Sequence, residues 1–233
     1  MTNRELEFLK EHFSGDELET AKARVESGEP LAYVIGEWYF WDETFLLNDA
    51  CLIPRADTEH LVEHGLKRLK RGSYFADLCC GSGCIGLTLL KHTENTRCLF
   101  ADISEKALEM TKINARRIGV YDRCEFECTD INNSAFFAKK EFDMILSNPP
   151  YIPTDVIETL VTVKHEPRIA LDGGEDGMDF YRLLINEYLP LVKKGGSMLL
   201  EIGYDQKEAI EELCQCSVYR DYGGNARVAV IEK

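Results

Sequence analysis

The sequence predicts an α/β fold built on a mainly parallel sheet whose last two strands form an antiparallel hairpin. Three observations predict it. After residue 72, short apolar runs alternate regularly with helical segments, which is typical of parallel strands joined by crossover helices. Near the end of the chain, two strand-like runs flank Gly223-Gly224-Asn225, a hairpin turn. Within the alternating region, the apolar run 142–147 stops before Pro149 and Pro150, which cannot extend a central strand.

The chain opens with two short helices. Thr2 with Glu5, and Ser14 with Glu17, fit the capping-box pattern, and Gly28-Glu29-Pro30 ends the second helix. So short a segment cannot form a core of its own, so we expect it to dock on the rest of the chain or on a partner.

Residues 31–53 are rich in aromatic and β-branched side chains and predict a β-hairpin leading to Ile53-Pro54-Arg55. A helix is expected from Ala56 to about Arg71. We therefore expect three parts. Residues 1–28 are a short helical segment, 29–55 a linking β-hairpin, and 56–233 the sheet domain.

The alternating region predicts five strands and four helices, with no internal repeat. The strands are expected near 74–79, 97–102, 123–128, 142–147 and 197–202. The helices are expected at about 83–92, 104–118, 178–190 and 204–214. The strand-like runs 217–222 and 226–232 complete the sheet.

Composition limits the classes of function. A formal charge of −14 opposes binding to nucleic acid, whose phosphates are held through cationic contacts. No stretch is apolar enough to span a membrane and the start carries no signal-peptide core, so a cytoplasmic protein with no membrane partner is expected.

A metal site is not expected. The nine cysteines include no CxxC pair, and most lie in apolar runs, where a reduced Cys is a small buried hydrophobe. His60 and His64 lie one helical turn apart, but Glu59 and Glu63 beside them indicate a solvated helix face.

Polar residues stand at the carboxyl ends of four predicted strands, which is the edge where open α/β sheets bind ligands. Cys79-Cys80-Gly81-Ser82-Gly83 forms a glycine turn into a helix, and its backbone amides can approach a ligand closely. Asp102 closes the second strand, where a carboxylate can accept ribose hydroxyls, and Asp130-Ile131 closes the third, where an adenine would lie. Together they predict a nucleoside pocket.

The fourth strand ends in Asn148-Pro149-Pro150-Tyr151. An Asn fixed there can exchange hydrogen bonds with a planar amide or amino group, and the Tyr ring can cover it. A nucleoside cofactor without phosphates beside a clamp for planar nitrogen points to S-adenosylmethionine.

These residues also admit other interpretations. A dehydrogenase competes, because Gly81, Gly83 and Gly86 fit the GxGxxG pattern, but Asn148-Pro149-Pro150-Tyr151 has no role in hydride transfer. The glycine turn alone could be tight packing, Asp102 could cap the following helix, and Asn148–Tyr151 could be a strand-terminating turn.

The chain resembles the release-factor glutamine methyltransferases, the HemK/PrmC family, from about Glu29 to its end. The segments that carry the resemblance are the glycine turn, Asn148–Tyr151, and residues 29–36, 53–59, 165–174 and 220–227. Asn-Pro-Pro-Tyr alone is shared with methyltransferases of DNA adenine, ribosomal RNA and ribosomal proteins. The segments 53–59 and 165–174 together are far more specific to the release-factor group.

The resemblance implies a seven-stranded, Rossmann-like, class I S-adenosylmethionine-dependent methyltransferase sheet, with S-adenosylhomocysteine as the product. It implies a protein substrate, the glutamine in the Gly-Gly-Gln loop of a peptide chain release factor, and no direct contact with nucleic acid. A monomer is expected. The residues implied for the cofactor are Cys79, Cys80, Gly81, Ser82, Gly83, Asp102, Ile103, Asp130, Ile131 and Asn148. Those implied for catalysis and for holding the glutamine amide are Asn148, Pro149, Pro150 and Tyr151.

Two departures from the family pattern give further expectations. The family usually has Gly-Thr where this chain has Cys79-Cys80, so Cys79 is strained if its position requires a positive φ. About 28 residues precede the shared segment, so a shortened N-terminal helical domain is expected. Two alternatives remain open, an adenine N6 or guanine N2 methyltransferase of nucleic acid and a non-catalytic cofactor-binding relative.

Overall fold

The computed structural model describes residues 1–160 and 163–233 of the chain. Its centre is a seven-stranded sheet. The strands are β3 (Tyr74–Leu78), β4 (Arg97–Asp102), β5 (Cys124–Cys128), β6 (Phe142–Ser147), β7 (Val192–Glu201), β8 (Ser217–Arg220) and β9 (Ala226–Glu232). A separate hairpin consists of β1 (Glu37–Phe40) and β2 (Glu43–Leu46).

Helices precede the sheet and connect its strands. Those of the N-terminal part are α1 (Asn3–His12), α2 (Gly15–Glu26), α3 (Leu31–Ile35) and α4 (Glu59–Leu66). Those within the sheet region are α5 (Cys84–Lys91), α6 (Glu105–Ile118), α7 (Thr154–Ile157), α8 (Asp179–Leu183) and α9 (Lys207–Leu213).

The strand order is β5-β4-β3-β6-β7-β9-β8. β3 to β7 run parallel, while β9 pairs antiparallel with both β7 and β8. The order reverses beside β3, where β3 lies between β4 and β6, so the crevice for a ligand opens at the carboxyl ends of these strands. The predicted parallel sheet with a final antiparallel hairpin is confirmed.

Alternation along the strands supplies two cores, one on each face of the sheet. On one face Phe75, Phe100 and Met144 pack with apolar residues of α4, α5 and α6. On the other face Ala76 and Leu78 pack with residues of α8, α9 and the segments around them. The sheet is therefore buried on both sides, as a parallel sheet requires.

The N-terminal part differs from the prediction in two details. The capping box of Thr2 and Glu5 is present, but Ser14 makes no side-chain capping hydrogen bond. A third helix, α3, occupies the start of the segment predicted as a hairpin. Pro30 precedes it with its fixed φ, and Gly36, in the left-handed conformation, ends it and releases the chain into β1.

Asn114 of α6 holds the β1–β2 hairpin onto the sheet domain. Its Oδ1 accepts from the Leu46 amide at 2.9 Å, and its Nδ2 donates to the carbonyls of Leu46 and Ser82, each at 3.0 Å. The side chain is fully buried and has all of these partners, so it joins the hairpin to the turn after β3.

Two predicted elements have different bounds. The helix expected over 178–190 is α-helical only over α8 and continues as a π-helical turn and a 3₁₀ turn that contains Pro190. A proline lacks the donor that a regular helix needs there. β7 begins at Val192, earlier than expected, and its pairing with β6 shifts register between Phe142 and Met144.

The helix face with His60 and His64 was predicted to be solvated, and this prediction is wrong. His60 is buried, with its ring 4.4 Å from that of Tyr222, and the ring of His64 lies 4.1 Å from that of Tyr219. Within residues 1–160 and 163–233, no group of three or more His, Cys, Asp or Glu side chains is arranged to hold a metal ion. Among the same residues, no helix has the length and apolar character that crossing a bilayer requires.

Candidate active site

A cavity of about 230 Å³ opens at the carboxyl ends of β3, β4 and β6. It gathers most of the residues expected for a nucleoside pocket. The predicted residues that line it are Cys79, Cys80, Gly81, Ser82, Asp102, Ile103, Asp130, Ile131, Asn148 and Pro150. Gly83 and Pro149 are buried and are not among its lining residues, and Tyr151 lines a smaller cavity next to it.

The turn after β3 owes its shape to alternating left-handed residues. Cys79, Gly81 and Gly83 have φ values of 60°, 56° and 79°. Cys79, which replaces the usual glycine of the family, therefore has a positive φ. This conformation costs a non-glycine residue about 1–2 kcal/mol. Gly83 begins α5, and a Cβ there would lie 2.5 Å from Thr111 Cγ2, so only glycine fits.

Asp102 shapes this turn as well as facing the cavity. Its Oδ2 accepts from the Gly81 amide at 2.8 Å, and its Oδ1 accepts from the Ser104 amide at 2.9 Å. Burial raises the pKa of this carboxyl, although the backbone donors oppose the shift. The cap of α6 is Ser104, whose hydroxyl accepts from the Ala107 amide, so capping that helix is not the function of Asp102.

Asp130 and Ile131 form the third side of the cavity. The Asp130 Oδ1 accepts from the backbone and side-chain nitrogens of Asn132, both at 2.9 Å. The Tyr188 hydroxyl donates to the Ile131 carbonyl at 2.7 Å from beneath the sheet edge. These bonds fix the loop after β5 and leave the apolar side chain of Ile131 against the cavity.

Asn148 follows β6 directly, where the prolines stop the strand. Its Nδ2 donates to the Thr58 hydroxyl at 3.4 Å, and no described residue donates to its Oδ1. Thr58 lies in the segment 53–59 and is buried. It therefore turns the amide of Asn148 so that the oxygen remains available as an acceptor.

Tyr151 is fixed through both its backbone and its hydroxyl. Gln206 Nε2 donates to the Tyr151 carbonyl at 2.9 Å, and the Tyr151 hydroxyl donates to Glu201 Oε1 at 3.4 Å. Gly173 packs so closely that a Cβ would lie 2.7 Å from Tyr151 Cα. The segment 165–174 therefore supports the tyrosine.

The smaller cavity, of about 120 Å³, lies between Tyr151, Asn148 and Glu201. An ion pair between Arg55 and Glu166 joins two walls of the site that are far apart in sequence. Glu166 also accepts from the Ile53 amide at 3.2 Å and is nearly buried. The segments 53–59 and 165–174, which are far apart in the sequence, therefore meet beside the two cavities.

Sequence reasoning missed three residues of this site, namely Thr58, Glu201 and Gln206. Glu201 carried a usable signal, because it is an acidic residue at the end of an apolar strand, just as Asp102 is. Thr58 ends a 3₁₀ turn and Gln206 directly precedes α9, and neither had a comparable pattern.

The sheet order and the cavity at its carboxyl edge are those of the class I methyltransferase fold. A family model described as "Methyltransferase small domain" matches residues 56–165. By sequence, the chain belongs to the release factor glutamine methyltransferase family. It is 39% identical over 196 residues to the release factor glutamine methyltransferase of Clostridium botulinum, covering 82% of this chain and 69% of that one. It is 36% identical to that of Geobacter sulfurreducens, covering 88% and 74%.

Solved structures share the fold at lower identity. The ribosomal protein L11 methylase of Lactobacillus delbrueckii subsp. bulgaricus is 19% identical, with a TM-score of 0.57 over 80% of this chain and 83% of that one. TrmN of Thermus thermophilus is 22% identical, with a TM-score of 0.55 over 76% and 48%. Methyltransferases of this class depend on S-adenosylmethionine.

Proposed function

We propose that this protein transfers a methyl group from S-adenosylmethionine to the side-chain nitrogen, N5, of the Gly-Gly-Gln glutamine of a peptide chain release factor. The observation that carries the proposal is the orientation of Asn148, whose oxygen has no described donor while its nitrogen is bound to Thr58. A free acceptor at this strand end suits a primary amide nitrogen, which carries two hydrogens. The name shared by the relatives supports the choice of substrate.

The larger cavity fits the cofactor. The Ser82 hydroxyl is buried at the cavity wall without a hydrogen-bond partner among the described residues. Each Asp102 oxygen accepts one hydrogen bond from a backbone amide and has a second lone pair that can accept a hydrogen bond from a ribose hydroxyl. The proposed contacts are Cys79, Cys80, Gly81, Ser82, Gly83, Asp102, Ile103, Asp130, Ile131 and Asn148. When bound, S-adenosylmethionine supplies an electrophilic methyl group.

The proposed glutamine site consists of Asn148, Pro149, Pro150 and Tyr151. The Asn148 Oδ1 and the Pro149 carbonyl accept the two amide hydrogens and aim the nitrogen toward the larger cavity. The Tyr151 ring stacks on the amide plane and limits its rotation, and the two prolines keep the acceptors rigid. Such alignment can remove several kcal/mol from the barrier.

Alignment matters because an amide nitrogen is a poor nucleophile, its lone pair being delocalised into the carbonyl. The two acceptors also stabilise positive charge that develops on nitrogen. No strong base is needed, because an N-alkylated amide cation is acidic and loses its proton after the methyl group has moved.

We further propose that the protein acts as a monomer in the cytoplasm, where release factors work, and does not bind nucleic acid directly. The charge of −14 supports a neutral or cationic partner surface. The proposed parts are 1–28, 29–55 and 56–233, the last carrying the chemistry and the first two helping to hold the release factor.

Mass spectrometry tests the proposal directly. A release factor is incubated with the protein and S-adenosylmethionine, and its Gly-Gly-Gln peptide is analysed. We expect one added methyl group on the glutamine, and none on a release factor with glutamate in that position. No addition by a protein that binds the cofactor, measured by calorimetry, would contradict the assigned substrate, and absence of cofactor binding would contradict the enzyme itself.

A further inference from the structure

Glu201 is a buried carboxyl group directly beneath the proposed glutamine site. It ends β7 and is 1% exposed. Its Oε1 accepts from the Tyr151 hydroxyl, while its Oε2 is buried with no hydrogen-bond partner among the described residues. The residue lines the smaller cavity together with Asn148 and Tyr151, and it does not line the larger one.

A buried carboxylate is costly without a positive charge nearby, and the charge of Arg227 lowers the pKa of the Glu201 carboxyl. Arg227 lies beside Glu201, since its backbone pairs with Ile202, and it favours the ionised form of the carboxyl. Its guanidinium is held by Asp221 Oδ2 at 3.3 Å and Asp57 Oδ2 at 3.1 Å. The segment 220–227, to which the proposed reaction assigns no role, thus supports this carboxylate.

Glu201 also adjoins the residue that orients Asn148. Burial raises the pKa of the Glu201 carboxyl to about 7, while the Thr58 hydroxyl and then the Arg227 guanidinium lower it. The same Thr58 hydroxyl accepts from Asn148 Nδ2. The Glu201 carboxyl therefore interacts with Tyr151 directly and with Asn148 through Thr58.

We propose that Glu201 is a positioning residue for the transfer, whose carboxylate holds the Tyr151 ring in the orientation that clamps the glutamine amide. The inference rests on the proposed function and deepens it. A charged acceptor makes a stronger hydrogen bond than a neutral one, so the ionised form fixes the phenol and the neutral acid loosens it. The ring orientation, and with it the turnover, then depends on the charge of Glu201.

The variant Glu201→Gln tests this, because it keeps the shape and removes the charge. We expect kcat to fall about tenfold while the Kd for S-adenosylmethionine is unchanged. The wild-type kcat should rise with pH through about 7, and the variant should lack this rise. Glu208→Gln, at an exposed position of α9, is the matched control and should behave as wild type. The titratable and charged groups that interact electrostatically with Glu201 are Tyr151, Arg227, Asp57, Tyr181 and Cys84.

Tyr151→Phe completes a double-mutant cycle. Removing the hydroxyl should cause the same loss as Glu201→Gln, and the double variant should lose no more than either single one. Fully additive losses, or a wild-type kcat and pH profile in Glu201→Gln, would overturn the inference. Burial also raises the pKa of Asp77 to about 7, but Asp77 lies beneath the cofactor turn, so measuring the cofactor Kd at each pH separates its effect.

A spectroscopic readout separates this inference from the substrate assignment. With 3-fluorotyrosine at position 151, the ¹⁹F chemical shift should titrate near pH 7 in the protein with Glu201 and stay constant in Glu201→Gln. No release factor is needed for this measurement. A shift that is constant in both proteins refutes the link, whereas a normal titration without peptide methylation refutes only the proposed substrate.

Discussion

Replacing Asn148 by alanine should abolish most of the turnover while leaving the cofactor bound. Asn148 provides the free acceptor of the site, and its one bond to the protein, to Thr58 at 3.4 Å, is long. Because the side chain is half-buried and weakly bonded, its loss should lower the free energy of unfolding by less than about 1 kcal/mol.

The kinetic cost should be much larger than the cost in stability. Removing a preorganised group that acts on developing charge costs about 2.7–4 kcal/mol, so kcat should fall roughly 100- to 1,000-fold. Thr58→Val keeps the acceptor and removes the weak bond that orients it; because the Thr58 hydroxyl also lowers the pKa of Glu201, the comparison is made at a pH well above 7. A loss of about 0.5–1 kcal/mol, or roughly two- to fivefold in kcat, is expected for that variant.

Single-turnover methyl transfer to the release factor, measured by rapid quench with radiolabelled cofactor, gives the rate of the chemical step. Calorimetry gives the cofactor Kd, which should change less than about threefold in both variants. Asn186→Ala serves as the matched control, because Asn186 is exposed and lines neither cavity. Equal losses in rate and cofactor affinity for Asn148→Ala would refute the assigned role.

Close packing and burial give three further predictions. Gly86→Ala should lower the free energy of unfolding by about 1–3 kcal/mol in denaturant titrations, because its Cβ would lie 2.5 Å from Phe100 Cε1. Gly173→Ala should push the Tyr151 backbone and reduce kcat about tenfold with an unchanged cofactor Kd, and an unchanged kcat would contradict this. Burial raises the pKa of Asp77 from 3.8 to about 7, so the folded state binds the extra proton and the free energy of unfolding should fall as the pH rises from about 4 to about 7. Asp77→Asn should make that fall shallower, and an identical pH dependence in the variant would disprove the assignment.

The sheet and half of the site could be predicted from the sequence because they depend on local patterns. Apolar runs that alternate with helices determine a parallel sheet, and parallel strands place their carboxyl ends at one edge. Asp102, Asp130 and Asn148 could therefore be brought together from their positions after strands alone.

The rest depends on contacts that have no local pattern. Glu166 meets Arg55 across the chain, and the sequence gives no sign of this pairing. The short helix α3 was missed because five apolar residues fit a strand equally well. The acidic neighbours of His60 predict a solvated face, whereas the β8–β9 hairpin brings Tyr222 over it.

Asn114 has a consequence for how such a chain can be recombined. One side chain serves the β1–β2 hairpin and the turn after β3 together, so neither piece is an independent module. A chimera whose α6 comes from a relative without asparagine at this position loses three hydrogen bonds at a fully buried site, whichever relative supplies the hairpin. A graft must therefore keep each buried polar side chain together with all the backbone groups that it binds. The ends of helices and strands alone do not give usable boundaries.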